Sequence, residues 1–408
     1  MNARGGDRIY LRDRYRRLGA AMICVARTLR RGAVTAVVAA CVCVASIGSP
    51  ASAFETTAPT AILVDFGTSR VLFEKEADRA IAPASLVKLM TVAVIFEELR
   101  SGAISRDDRF PVSEYAWRTG GAASGGSTMF LPLNSEVSVD DLIKGIIIQS
   151  GNDATIVAAE GIAGSVGAFA ARMNEQAERI GLTGSHFANP HGLPHPDQHV
   201  TVRDLARLAD YLIRTFPDEY PLFSEESFTF NDITQRSRNP LLAMGADGLK
   251  TGHTSEAGYG LVASAQRDGR RIILAISGME SADERAREAR RLMEYGLQDF
   301  EEVTLLAGDE VVGEAVVRGG VAPSVPMTAE AELRLLVPRG SLAGVERTVT
   351  DNGPVEAPVL AGQRLGWIRF SRGEETLREV PLHAAEAVEQ AGFLQRIRET
   401  LAEHLTWR

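Results

Sequence analysis

Ala82-Pro83-Ala84-Ser85-Leu86-Val87-Lys88-Leu89-Met90-Thr91 is the stretch on which the fold turns. After Pro83 the apolar positions Leu86, Leu89, Met90, Val94 and Phe96 recur at helical spacing towards Arg100, and Gly102 supplies the stop. This spacing predicts a helix with Ser85 in its first turn and Lys88 three residues later on the same face. A hydroxyl beside an amine is the minimum for nucleophilic catalysis, because serine is inert until a base takes its proton. The alternative reading is an N-cap serine followed by an incidental lysine.

Outward from that helix, Ala61-Ile62-Leu63-Val64-Asp65 and Val71-Leu72-Phe73-Glu74 flank Gly67-Thr68 and predict a β-hairpin. Further on, Ser150-Gly151-Asn152 separates a helix-like run from Val139 to Ile148 from another between Ala154 and Ile162. Such a junction either aims one hydroxyl and one amide into a cleft or is a plain helix–helix turn. Lys250-Thr251-Gly252-His253-Thr254 then enters a strand-rich hairpin, with Gly258 to Gln266, a turn at Asp268-Gly269, and Arg271 to Ile276. A strand edge carrying Gly252 lets a substrate backbone approach and pair with it. Lys250 and Thr251 would offer a cation and a hydroxyl to a carboxylate; otherwise this is an ordinary edge strand.

Composition narrows the chemistry. With 408 residues, 45% apolar and 24% charged, the chain has room for two domains, and its formal charge of −9 gives no positive field for a nucleic acid. Only four basic residues are lysines: Lys75, Lys88, Lys144 and Lys250. Arginine cannot lose its proton in a protein, whereas a buried lysine shifts readily and can serve as a base. Two of the four lysines stand in the motifs above.

Taken together and in this order, the motifs resemble those of the serine-type D-Ala-D-Ala carboxypeptidases, the low-molecular-mass penicillin-binding proteins, which share the Ser-x-x-Lys acyl-enzyme chemistry of class A β-lactamases. Ser127-Thr128-Met129-Phe130-Leu131, His191-Gly192-Leu193, Arg238-Asn239 and Ala257-Gly258-Tyr259 extend the likeness over nearly the whole chain after residue 53. The resemblance implies an α/β (α+β) peptidase domain over residues 54–300, an antiparallel sheet with helices on one face and a helical lobe beside it. It implies that Ser85 attacks the penultimate D-alanine carbonyl of a peptidoglycan stem peptide, with Lys88 as base, held neutral by burial and by the charge of Lys250. Ser150 would relay the proton, Asn152 would hold the acyl side, and the N–H groups of Ser85 and His253 would form the oxyanion hole. Lys250, Thr251 and Gly252, with Arg238 and Arg271 as further cations, would receive the terminal carboxylate. β-Lactams would acylate Ser85; no cofactor or metal is implied. The glycine-rich stretch Gly120 to Gly126 suggests a mobile loop beside the cleft.

Both ends point outside the cytoplasm. Arg27, Arg30 and Arg31 precede an apolar run of 16 residues, Gly32 to Ile47, then Pro50 and Ala51-Ser52-Ala53, which reads as a secretory leader over residues 1–53 cleaved before Phe54. A membrane span needs about 20 apolar residues. The leader's length also suggests that translation starts at Met22. Cys24, Cys41 and Cys43 all lie in it, so neither a disulfide nor a thiol nucleophile is left, and the remaining 35 basic and 51 acidic residues give −16. From Val303 short alternating strands broken by Gly319-Gly320, Pro338-Arg339-Gly340 and Asn352-Gly353-Pro354 predict a small β-sandwich over 303–385. The tail, 390–408, places Phe393, Leu394, Ile397, Leu401 and Leu405 on one helical face. It is expected to lie on the outer leaflet of the cytoplasmic membrane, the alternative being a helix packed on a protein.

Three competing functions lose ground. His186, His191, His195 and His199 imitate the spacing of a helical zinc site, but Gly192, Pro194 and Pro196 forbid a helix there. A β-lactamase shares the nucleophile and lysine, yet no glutamate occurs from Arg179 to Asp218, where class A enzymes keep their deacylating carboxylate. A catalytically silent wall-binding scaffold would have lost at least one of Ser85, Lys88, Ser150, Asn152 and Lys250.

Overall fold

The computed structural model describes residues 54–393. The leader, Met22 and the tail from Leu394 lie outside the described residues. The central sheet is built from β1 (Thr60–Asp65), β2 (Val71–Lys75), β3 (Ala246–Thr254), β4 (Gly258–Arg267) and β5 (Arg270–Met279). All neighbours are antiparallel: β2 pairs with β1, β1 with β5, β5 with β4, and β4 with β3, which leaves β3 as a free edge.

Helices α1 (Lys88–Ser101), α2 (Glu114–Gly120), α3 (Val139–Ile147), α4 (Asn152–Ala163), α5 (Val166–Ile180), α6 (Val202–Thr215) and α7 (Ala282–Gln298) complete the first domain. Ala61, Leu63, Leu261, Leu274 and Ile276 pack against Ala289, Leu292 and Met293 of α7. Their strand neighbours Ile62, Val262, Ile273 and Ala275 join the core of α1, α6 and the lobe formed by α2 to α5. The sheet is therefore covered on both faces, where the sequence reading expects helices on one. Runs such as Ala61-Ile62-Leu63 and Ile272-Ile273-Leu274-Ala275-Ile276 are apolar at consecutive positions, a pattern that requires cover on each side.

Hydroxyls set where several of these helices begin. Ser138, Ser165 and Thr201 each accept a bond from the N–H three residues on, ahead of α3, α5 and α6, and each such cap is worth about 1 kcal/mol. The motif helix differs from the regular helix expected after Pro83. Ala84–Val87 form a 3₁₀ turn that carries Ser85, and α1 starts at Lys88.

β-Structure follows α7 directly. Phe300–Leu306 pairs with Leu333–Pro338 as a two-stranded ribbon. Six strands, among them Gly313–Arg318, Ser324–Thr328, Arg364–Arg372 and Glu375–Ala384, form one sheet. Leu306, Val325, Ile368, Phe370 and Leu382 fill a single core between ribbon and sheet, so this second domain is all-β. It is tied to the first by Arg270, which donates to the Phe300 carbonyl at 2.9 Å, and by the Arg339 N–H to the Asp299 carbonyl at 2.9 Å. Among the described residues no single helix is long and apolar enough to cross a membrane.

Candidate active site

The 3₁₀ turn of Ser85, the α3–α4 junction and the free edge strand β3 meet at one cleft. Two glycines make the meeting possible. Gly252 lies so close to the turn that a Cβ there would come within 3.2 Å of the Leu86 nitrogen and of the Pro83 carbonyl oxygen. Gly192, with φ +87°, passes under the same turn, where a Cβ would come within 1.9 Å of the Ala84 carbonyl oxygen. Ala84 itself has φ 47° and Ser150 φ 62°, a left-handed backbone that non-glycine residues adopt at a cost of about 1–3 kcal/mol. At both positions the chain is bent to present a hydroxyl.

Lys88 is fully buried. Its Nζ lies 3.0 Å from Ser85 Oγ and 2.8 Å from Asn152 Oδ1, and it also donates to the His191 carbonyl. Burial first, and the nearby Arg238 charge with it, lower its pKa against the opposing charge of Asp153, to about 7. The charge that lowers Lys88 is that of Arg238, and the repulsion between Lys88 and Lys250 that the sequence reading expects is carried by Lys250. A neutral amine has two N–H bonds and one lone pair. Since Asn152 and His191 offer only acceptor oxygens, they take the N–H bonds, and the lone pair is left facing the Ser85 hydroxyl.

Ser150 is buried, and its Oγ has no hydrogen-bond partner among the described residues. Lys250 is also buried, and its Nζ donates to the Thr251 carbonyl at 3.1 Å. Burial holds Lys250 well below the ordinary lysine range, and the charges of Lys88, Arg238 and Arg285 act in the same direction. Arg238 reaches across the cleft mouth to Ser127 Oγ at 2.8 Å and the Gln149 carbonyl at 3.2 Å. The side chain of His253 is exposed and stacks on Tyr259, its cross-strand partner, with ring centroids 3.9 Å apart. Lys250, Arg238 and Arg285 are basic side chains that act on one another around this cleft, an arrangement that suits an anionic ligand.

Arg271 does not belong to this group. Thr251 stands opposite Leu261, and Leu261 opposite Ile276, so Arg271 is five residues further along β5, which is about 17 Å of strand. Its guanidinium is held there by Asp247 at 2.7 Å and Ser264 Oγ at 2.7 Å. An arginine in the right hairpin was the sequence signal; register decides against it. The stretch Gly120 to Gly126, expected as a loop beside the cleft, borders the start of α4. A Cβ on Gly120 would lie 2.3 Å from the Asp153 nitrogen, and one on Gly126 2.8 Å from Asn152 Nδ2, so these glycines allow close packing on the start of α4.

Two further residues matter that motif reading misses. Asp153, fully buried, accepts from Thr128 Oγ1 at 2.7 Å and from the N–H groups of Met129 at 2.8 Å and Leu131 at 3.1 Å, fastening the cleft wall to α4. Its place next to Asn152 was the available signal. Arg285, on α7, adds its charge to that felt by Lys250 and lies over the Tyr259 ring, 5.7 Å from its centroid. Nothing in its arginine-rich helix distinguishes it.

The chain was compared with known proteins. A family model described as D-alanyl-D-alanine carboxypeptidase matches residues 47–281, and one described as penicillin-binding protein 5, C-terminal domain, matches residues 300–390. The D-alanyl-D-alanine carboxypeptidase DacC of Escherichia coli (strain K12) is 40% identical over 341 residues, 82% of this chain and 85% of that protein. Penicillin binding protein 5 from Haemophilus influenzae superposes with a TM-score of 0.67 at 35% identity, covering 84% of this chain and all of that one. For DacD from Francisella tularensis the TM-score is 0.70 at 31% identity, covering 83% and 95%. The pairing of Ser85 with the buried Lys88, the orphaned Ser150 hydroxyl and the Lys250 edge strand therefore sit in a chain that belongs to the D-alanyl-D-alanine carboxypeptidase family.

Proposed function

We propose that the protein is a serine D-alanyl-D-alanine carboxypeptidase that removes the terminal D-alanine from peptidoglycan stem peptides. The observation that carries this reading is the bonding of Lys88, whose two fixed acceptors leave its lone pair on the Ser85 hydroxyl. Lys88 takes the Ser85 proton as Oγ bonds to the penultimate D-alanine carbonyl carbon. The backbone N–H groups of Ser85 and His253 hold the oxyanion, at about 3 kcal/mol per donor. As the tetrahedral intermediate collapses, the C–N bond breaks, and Ser150 gives its hydroxyl proton to the departing D-alanine nitrogen while taking the proton that Lys88 received, which leaves Lys88 neutral again. Asn152 donates to the acyl side, and water then hydrolyses the ester, its proton returning through Lys88.

The terminal carboxylate lies between Thr251, Lys250 and Arg238. Support comes from the basic residues of the cleft, and from the burial of Lys250, whose charged form a carboxylate would stabilise. β-Lactams, which imitate the D-Ala-D-Ala end, acylate Ser85. The Listeria monocytogenes penicillin-binding protein D2, solved in an ampicillin-bound form, is 29% identical over 60% of this chain with a TM-score of 0.53.

In this proposal residues 54–300 carry the chemistry and the all-β domain is a spacer. The protein is exported through its leader, works in the periplasm on cell-wall biogenesis and cell shape, and rests on the cytoplasmic membrane through its C-terminal tail. Mass spectrometry of the mature protein and of Ser85→Ala, after exposure to penicillin and to a peptide ending in D-Ala-D-Ala, tests the activity. An adduct confined to wild type and release of one D-alanine are expected. Fast penicillin turnover without peptide cleavage indicates a β-lactamase, and neither reaction indicates a silent scaffold.

A further inference from the structure

One of the two acceptors that hold Lys88 is the His191 carbonyl, and residues 189–193 around it belong to neither helix nor strand. A buried segment without a regular ladder must satisfy its backbone groups through side chains. Asn189 Oδ1 accepts from the Gly192 N–H at 2.8 Å, and Asn189 Nδ2 donates to the Leu193 carbonyl at 3.0 Å. Nδ1 of the His191 ring accepts from the Leu193 N–H at 3.2 Å. Thr91 Oγ1, on α1, donates to the Pro190 carbonyl at 2.7 Å, and Gln198 Oε1 accepts from the Asn189 N–H at 2.9 Å. Asn189 and His191 are themselves buried.

These bonds converge on one peptide unit. The His191 carbonyl and the Gly192 N–H lie in the same plane and, the bond being trans, point in opposite directions. An acceptor fixed at the N–H end therefore aims the carbonyl, at the other end, at Lys88. The next N–H along, that of Leu193, is gripped by the His191 ring. Gly192 lies between the two planes and is the most permissive residue type, so side chains must hold them. Nδ1 accepts only in the neutral ring that carries its hydrogen on Nε2. Burial first, and then the Lys88 charge, hold the His191 pKa at about 3, which keeps the ring in that form wherever Lys88 titrates. We infer that Asn189 and the His191 ring are positioning residues, which together lock the 191–192 peptide so that its carbonyl stays on Lys88 and the lone pair of the neutral amine stays on Ser85. This rests on the reading of Lys88 as the base, and deepens it. Loosening the peptide has two effects of known sign. A carbonyl oxygen supports an ammonium more strongly than a neutral amine, so the Lys88 pKa falls. The neutral amine also loses one of two restraints on its lone pair, so proton abstraction slows.

The test is the pH profile of penicillin acylation for the mature full chain. Asn189→Leu and His191→Phe should each lower the plateau rate by about ten-fold and move the acid limb down by about one pH unit. Because both act on one peptide unit, the double variant should be little slower than either single one. His191→Asn should return the limb and most of the plateau, since an asparagine oxygen accepts from the N–H two residues on as the ring nitrogen does. The charged side chains that act on or with Lys88, namely Arg238, Asp153 and Lys250, are present in every variant, so the limb reports the carbonyl. Urea denaturation reads loss of packing separately, and such loss leaves the limb where it is. Should Asn189→Leu not fold, the two His191 variants decide alone. An unmoved limb in the folded variants overturns the positioning role, as does a limb displaced equally in His191→Phe and His191→Asn. Absence of acylation in wild type overturns the reading of Ser85 and Lys88 as nucleophile and base, and the positioning role with it.

Discussion

Lys88 Nζ donates to Asn152 Oδ1 at 2.8 Å, joining the first residue of α1 to the first of α4 across 64 positions of sequence. The contact sets the charge state of the base as well as its position. Asn152→Asp would put an anion where the amide stands, and an opposite charge at that range raises a pKa by about 1–3 units. Lys88, now at about 7, would then titrate higher. Because only the neutral amine accepts the Ser85 proton, the acid limb of penicillin acylation should move up with it, and the rate at pH 7 should fall by about ten-fold or more. A pH profile of acylation for both proteins checks this; an unmoved limb assigns the base elsewhere.

The same lysine affects stability, with the opposite sign to a salt bridge. Its folded pKa of about 7 is below the unfolded value of 10.5, so between those limits the unfolded chain binds more protons and stability rises with pH. Below about 7 the penalty of the buried charge is complete. Lys88→Met should abolish acylation, and its stability relative to wild type should decline by a few kcal/mol as pH rises from 7 to 10.5. The two orphaned acceptors shift that difference by a constant and leave its pH dependence intact. Urea denaturation across this range measures it, and a flat difference argues for an ordinary charged lysine.

Gly192→Ala should damage the site without touching a side chain in it. The new Cβ would meet the Ala84 carbonyl oxygen at 1.9 Å, and φ +87° is unfavourable for any L side chain. Strain and displacement together should cost about 2–4 kcal/mol and slow acylation sharply, since the displaced turn carries Ser85. Denaturation and penicillin labelling report the two effects separately. Gly102→Ala is the control, because it shares the positive φ but has open space around it.

Arg271 and Arg238, equivalent on sequence grounds, should separate cleanly. Arg271→Ala removes the guanidinium from Asp247, which keeps the Tyr220 hydroxyl, and from Ser264, and should cost about 2 kcal/mol of stability, with KM for peptide unchanged. Arg238→Ala should raise KM for a peptide carboxylate. It should also lift the Lys88 pKa, because a repelling charge is removed, and so move the acid limb of acylation upward. Peptide kinetics and melting curves on both variants decide the matter.

Legibility followed the range of the interactions involved. Ser85 and Lys88 share a helical face three residues apart, and the β4–β5 hairpin follows from alternation and Asp268-Gly269, so both could be read locally. The cover on both sheet faces was written in the consecutive apolar runs of β1 and β5. What could not be read depends on register and on distant burial: Arg271 lies beyond the cleft because of strand pairing, and Asp153 becomes the fastener of the 128–131 wall only once α4 reaches it. Arg285 comes from a segment that carries no motif and reaches Tyr259 through packing.

Lys250 offers the last prediction. Burial holds it well below the ordinary lysine range, the charges of Arg238 and Arg285 act in the same direction, and it couples to Lys88. A carboxylate arriving at Thr251 supplies the counter-charge that the cleft lacks, and this favours the charged amine. Binding should therefore take up protons near neutral pH. Calorimetry of the Ser85→Ala variant with a peptide ending in D-Ala-D-Ala, in buffers of different ionisation enthalpy, should give an uptake between zero and one proton per peptide, reduced in Lys250→Arg because a guanidinium stays charged throughout. Equal heats in all buffers would mean that Lys250 is already protonated before the peptide binds, and that attraction to a standing charge, rather than charging on arrival, selects the carboxylate.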